Sequence, residues 1–141
     1  MNDMDYELGI DVSRWQNAPI TNSAGQIIGY KPLNYAKAKA AGVTFAGVRA
    51  TVGDYYTDPC FEMNYQGFME QEIDTNPYLV VAPADGQGRK ITAERHVAEY
   101  LESANELIAA VPQIQIAPIV LDCELDRGQT AATITAPPRC I

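Results

Sequence analysis

Two carboxylates stand one residue apart in Asp122-Cys123-Glu124, directly after the apolar run Ala117-Pro118-Ile119-Val120-Leu121. Along a β-strand, residues i and i+2 point to the same face with Cα atoms about 6.5–7 Å apart, so Asp122 and Glu124 share a face and Cys123 turns away. Neighbouring carboxylates drive their pKa values apart: one keeps its proton while the other stays ionised. Hydrolysis of a glycosidic bond needs that division. One carboxyl group protonates the leaving oxygen, and the other supports the positive charge that develops on the sugar. A third acid, Asp11, closes the stretch Tyr6-Glu7-Leu8-Gly9-Ile10-Asp11-Val12. Acids at a solvated strand end can have the same spacing, so the elements that carry these residues decide what they can do.

Tyr6 to Val12 reads as a short strand. Asn17 to Lys31 holds the turn residues Asn22-Ser23-Ala24-Gly25 between apolar flanks, and reads as a hairpin or an extended loop. Asn34 is placed to cap a helix over Tyr35 to Ala41, and Gly42 to end it. Val43 to Ala50 follows as a strand, with Phe45 and Val48 as bulky buried members. The unit then repeats. A helix is expected over Phe61 to Met69, with Phe61, Tyr65, Phe68 and Met69 on one face, and a strand over Pro77 to Pro83. Thr92 caps a third helix, in which Val97, Tyr100, Leu101, Ala104, Leu107 and Ile108 recur at helical spacing; Pro112 lies beyond its end. A fourth strand, Ile114 to Leu121, finishes at the acids.

Alternating strands and helices imply an α/β fold with a parallel sheet and crossover helices. Strands of such a sheet are buried on both faces, which accounts for the run APIVL. In (β/α) barrels the chemistry sits at the C-terminal ends of the strands, where Asp11, Asp122 and Glu124 would converge. A closed barrel takes eight strands, and about four are present. The domain is read as residues 1–128, the N-terminal portion of a catalytic unit. Residues 129–141 lack periodicity and read as an irregular tail.

A net charge of −8 argues against nucleic acid, or an anionic membrane, as a partner held by charge. No apolar run approaches the length of a membrane span. The N-terminal MNDMDYELGID has no basic and then apolar stretch, so no signal peptide is expected. Cys60, Cys123 and Cys140 are odd in number and contain no CxxC pair. They suggest neither a disulfide framework nor a zinc site, and read as reduced structural cysteines. His96 is expected on the polar face of the third helix, solvated. Trp15, on the loop after the first strand, can stack on a sugar or anchor a core.

Three segments carry a family resemblance. Residues 9–16, GIDVSRWQ, resemble the opening signature of the family 25 glycoside hydrolases, the Chalaropsis-type lysozymes. Residues 39–65 resemble that family's second and third segments: a small-Gly turn, a strand ending Arg-Ala-Thr, then Gly, Tyr, Asp-Pro, Phe and Asn-Tyr. Residues 117–124 resemble its Pro-x-x-Leu-Asp-x-Glu strand. The resemblance covers nearly all of the chain to about Gly128, and the family's last strands have no counterpart here. It implies an irregular, TIM-like (β/α) barrel, with only about the first four strand–helix units present. It also implies cleavage of the β-1,4 bond between N-acetylmuramic acid and N-acetylglucosamine in bacterial peptidoglycan, without metal or organic cofactor.

By the same resemblance Glu124 is the general acid. Asp122 orients the substrate's N-acetyl group or stabilises charge at the anomeric carbon, and Asp11 is the first-strand acid. Tyr78, Tyr56, Arg49 and Trp15 are the candidate substrate-contacting residues, although Arg49 can equally form an ion pair with Asp58 that only holds the barrel. Val52 and Leu79 stand where the family often has Glu and His, and are expected to remove polar groups from the cleft. Peptidoglycan is the expected partner, with self-association as a way to cover an open barrel. The site of action is the cell wall, reached by export or by phage release. Two alternatives remain: an inactive wall-binding or structural module on this fold, which follows from Val52, Leu79 and the missing strands, or a truncated chain that does not fold alone.

Overall fold

A computed structural model describes residues 6–124. Residues 125–141, which include the expected tail and Cys140, lie outside the described residues. In chain order the elements are β1 (Leu8–Val12), a 3-10 turn (Arg14–Gln16), β2 (Pro19–Thr21), β3 (Ile27–Tyr30), α1 (Tyr35–Ala40), β4 (Val43–Val52), β5 (Tyr56–Thr57), α2 (Phe61–Glu70), β6 (Asp74–Val80), α3 (Ala93–Ala110) and β7 (Val120–Asp122). Strands β1, β4, β6 and β7 lie side by side in that order, all parallel, and β5 folds back antiparallel on β4. The β2–β3 hairpin stands apart as an antiparallel ribbon. The α/β expectation is met with a mostly parallel sheet. Among the described residues that sheet is open, with β1 and β7 as its edges.

Local chemistry sets the helix ends. The Asn34 side chain accepts from the Lys37 amide at 2.9 Å, and Gly42 takes φ +93°, a left-handed conformation that glycine adopts at no steric cost. The Thr92 hydroxyl accepts from the Arg95 amide at 3.3 Å at the start of α3. Helix α2 buries Phe61, Tyr65 and Phe68 as its spacing predicts, and α3 buries Tyr100, Ala104 and Leu107. They close over Val12 of β1, Ala46, Val48 and Ala50 of β4, and Leu79 of β6, forming one core on the outer face of the sheet.

Four expectations need correction. First, β7 is short, and residues 114–119 are irregular. Side chains hold that segment in place of a ladder: the Tyr65 hydroxyl accepts from the Ala117 amide at 3.0 Å, and Asn76 Nδ2 donates to the Pro118 carbonyl at 3.1 Å. Second, β6 begins at Asp74 and ends at Val80, so Pro77 lies inside it. This is tolerated because β7 pairs only with Tyr78 to Val80, and no β7 ladder bond is lost at the proline. Third, Phe45, Val120 and Leu121 are 44%, 50% and 60% exposed, not buried on both faces. Phe45 and Val120 stand on the inner face and Leu121 on an edge strand, where no described element covers them. Fourth, His96 is buried. Its Nε2 accepts from the Ala82 amide at 3.0 Å, and its Nδ1 lies 2.7 Å from the Thr92 carbonyl, which fixes the Nδ1–H tautomer. The buried face of α3 runs through His96, Tyr100, Ser103 and Leu107, and Val97, Leu101 and Ile108 are exposed.

Cys60 is buried at the start of α2. Burial, reinforced by the nearby Asp58 charge, pushes its thiol up to about 11. Cys123 is exposed. In a Cys140→Ser background, a maleimide should therefore label Cys123 within minutes, while Cys60 stays unreacted until denaturant is added. Comparable labelling of both cysteines in the native protein would contradict this packing.

Candidate active site

Strand pleating divides the sheet residues into two sets. The outer set fills the core. The inner set is Gly9 and Asp11 of β1, Phe45, Gly47 and Arg49 of β4, Asn76, Tyr78 and Val80 of β6, and Val120 and Asp122 of β7, with Glu124 just beyond. Together they line a cleft of about 850 Å³. The register sets Asp11 beside Gly47, Arg49 beside Tyr78, and Val80 beside Asp122. Gly47 keeps the floor low at the crossing: a Cβ there would lie 3.7 Å from Asp11 Cβ and 3.6 Å from Tyr78 Cδ1. Asp11, Arg49, Tyr78, Asp122 and Glu124 are thus brought together.

The electrostatics of the cleft act on Glu124. The Asp122 carboxylate beside Glu124, and the hydrogen bond between the two side chains, hold the Glu124 carboxyl above the usual carboxylate range. Partial desolvation and the Asp11 charge act in the same direction, and Arg49 opposes them. Burial pushes the Tyr78 phenol up to about 12, so it stays protonated; its hydroxyl donates to the Val12 carbonyl at 3.4 Å.

Arg49 faces the cleft and is paired with Asp58 at the same time. Its Nε and Nη2 each lie 2.8 Å from Asp58 Oδ2. Asp58 is a structural hub. The same Oδ2 accepts from the Arg14 amide at 3.1 Å, and Oδ1 accepts from the Cys60 amide at 2.9 Å. One buried carboxylate therefore ties β4 to the turn after β1 and to the start of α2. Two candidates lie outside the cleft lining. Tyr56 offers its ring to the Arg49 guanidinium, 5.4 Å from the centroid. Trp15 is 70% exposed on the 3-10 turn, which rules out a core-anchoring role. Leu79 is buried in the core on the opposite face, so that departure removes no cleft group, contrary to expectation. Val52 pairs in register with the cleft residue Val80 but is not itself part of the lining.

Asn76, Val80 and Gly47 are cleft residues that the sequence reading missed. A strand extended to Asp74 places Asn76 and Val80 two residues either side of Tyr78. At the same rim, Arg89 pins the loop after β6, reaching Asp54 in the turn after β4 at 3.0 Å and Asp85 at 2.8 Å. That contact holds the Asp54 carboxyl below the usual range.

Two adjacent carboxyl groups, one with its pKa raised by the other, in a groove lined by parallel strands, have the arrangement that glycoside hydrolysis calls for. The chain belongs to the glycosyl hydrolases family 25, whose model matches residues 10–138. It is 31% identical over 80 residues to Lysozyme M1 of Streptomyces globisporus, a match that covers 57% of this chain and 22% of that protein. Its fold resembles a family 25 glycosyl hydrolase from Bacillus anthracis (TM-score 0.60, 20% identity, 97% of this chain and 50% of that one). It also resembles the catalytic domain of endolysin ply40 from bacteriophage P40 of Listeria monocytogenes (TM-score 0.60, 17% identity, 86% and 49%). The chain thus spans about half the length of these solved structures. No helix among the described residues is long and apolar enough to cross a membrane.

Proposed function

We propose that the chain carries the acid/base half of a muramidase, a peptidoglycan hydrolase that cleaves the β-1,4 bond between N-acetylmuramic acid and N-acetylglucosamine. The observation that carries this reading is the Glu124 carboxyl, whose hold on its proton is raised chiefly by the adjacent Asp122. Glu124 gives its proton to the glycosidic oxygen as the bond breaks. Asp122 orients the N-acetyl group or stabilises the charge at the anomeric carbon. Asp11 adds negative potential from β1, and Tyr78 and Arg49 line the path of the sugar. No step calls on a metal or an organic cofactor.

In the same reading, the sheet is the first part of an irregular TIM-like barrel. Phe45, Val120 and Leu121 mark the surface that further strands, or a second copy of the chain, would cover. The enzyme acts at the cell wall. The test is the identity of the new chain end. After incubation with purified peptidoglycan and reduction with borohydride, a muramidase yields muramicitol. Glucosaminitol in its place, or no new reducing end from a cooperatively folded chain, would overturn the assignment.

A further inference from the structure

The turn after β1 is built firmly yet displays its two largest side chains. Its start is a reciprocal cap, in which the Ser13 amide donates to Gln16 Oε1 at 2.8 Å and the Ser13 hydroxyl accepts from the Trp15 amide at 3.4 Å. Its end is locked by Asn17. The Asn17 and Asn64 side-chain amides exchange hydrogen bonds at 3.1 and 2.8 Å, and both residues are buried. Asp58 holds the Arg14 amide. On this scaffold the Arg14 guanidinium lies 3.9 Å from the centroid of the Trp15 ring, and its Nη1 touches the Tyr30 hydroxyl at 3.4 Å.

Arg14 is also set apart by charge. Among the described arginines, Arg49, Arg89 and Arg95 each pair with a carboxylate, and Arg14 has none. In a chain of net charge −8, a cation without an acidic partner, stacked on the molecule's one tryptophan, is an unused recognition element. It stands three residues past Asp11, just beyond the end of the cleft lining. An indole face suits the C–H face of a pyranose ring, and a guanidinium fork suits a carboxylate.

We propose that Arg14 and Trp15 form an accessory subsite for an uncleaved part of the polymer, Trp15 stacking on a sugar ring and Arg14 binding a carboxylate that the ring or its peptide carries. The proposal rests on the muramidase reading for its ligand. It makes this turn the place where anionic wall glycan is told from a neutral β-1,4-linked N-acetylglucosamine oligomer. Because the turn is held by Ser13, Asn17 and Asp58, little ordering cost opposes binding.

The single tryptophan supplies its own readout. The full chain carrying Glu124→Gln, so that ligand is not consumed, is titrated with soluble wall-glycan fragments and with neutral N-acetylglucosamine oligomers of equal length, following tryptophan emission. The wall fragments should shift the emission and bind about tenfold more tightly than the neutral oligomers. Arg14→Gln should erase that preference and leave neutral-oligomer affinity unchanged, and Arg14→Lys should restore part of it. A preference that survives Arg14→Gln, or emission that does not respond to bound glycan, would overturn the proposal. A larger response to polyglycerol phosphate than to glycan would also overturn it. Since binding is read without turnover, failure here with muramicitol still released removes the subsite alone. Absence of muramicitol with the fluorescence response intact removes the cleavage reading alone.

Discussion

Glu124→Gln is expected to lower reducing-end release from peptidoglycan by about 10²–10⁴-fold, the usual contribution of a positioned general acid. The amide keeps the size and the hydrogen-bonding reach of the side chain but has no proton to give. Binding of the glycan should change little, so the loss should fall on kcat. The same proton governs the pH profile. The Glu124 pKa is raised chiefly by Asp122, so activity should persist past the pH at which an ordinary carboxyl ionises and fall as pH rises through the raised value. Asp122→Asn removes the main cause, and any residual activity should then fall at a lower pH. A profile that stays put in Asp122→Asn would show that another group sets the alkaline limb.

Asp58→Ala is expected to cost about 3–5 kcal/mol of stability, the range for breaking a buried ion pair from one side. The substitution strands the Arg49 guanidinium, whose side chain is only 14% exposed, and leaves the Arg14 and Cys60 amides without their acceptor. Chemical denaturation of the two proteins would measure it. Adding Arg49→Met should recover part of the loss, because the uncompensated charge is then gone. A cost below 1 kcal/mol would mean that Arg49 finds water or another acceptor when Asp58 is removed.

Sequence legibility followed how local each cause is. Helix caps act within three or four residues, so Asn34, Gly42 and Thr92 mark their ends correctly. The acid pair is also a local signal: strand alternation puts Asp122 and Glu124 on one face whatever lies around them. The face of α3 was legible in part: Tyr100, Ala104 and Leu107 turn inward as their spacing predicts. Val97, Leu101 and Ile108 keep helical spacing with one another, but a ring nitrogen bonded to the Ala82 amide turns His96 inward and sets the rotation. Phe45, Val120 and Leu121 mislead for a related reason: an apolar strand residue is buried only where another element covers it. The role of Asp58 was half legible. Its pairing with Arg49 is legible, and the Cys60 amide two residues on is a local partner, but the Arg14 amide lies 44 residues away and only the fold brings it to the same carboxylate.

Asp11 and the Asp122–Glu124 pair stand on opposite edges of the sheet. Laid flat, four strands with three spacings of about 4.8 Å would separate those edges by roughly 14 Å. Yet the Asp11 charge bears on Glu124. The sheet therefore curls enough to bring its two edges to the same groove, where Asp11 and Glu124 both line the cleft. Flattening the sheet would weaken the influence of Asp11, and a sugar chain that draws the edges together would strengthen it.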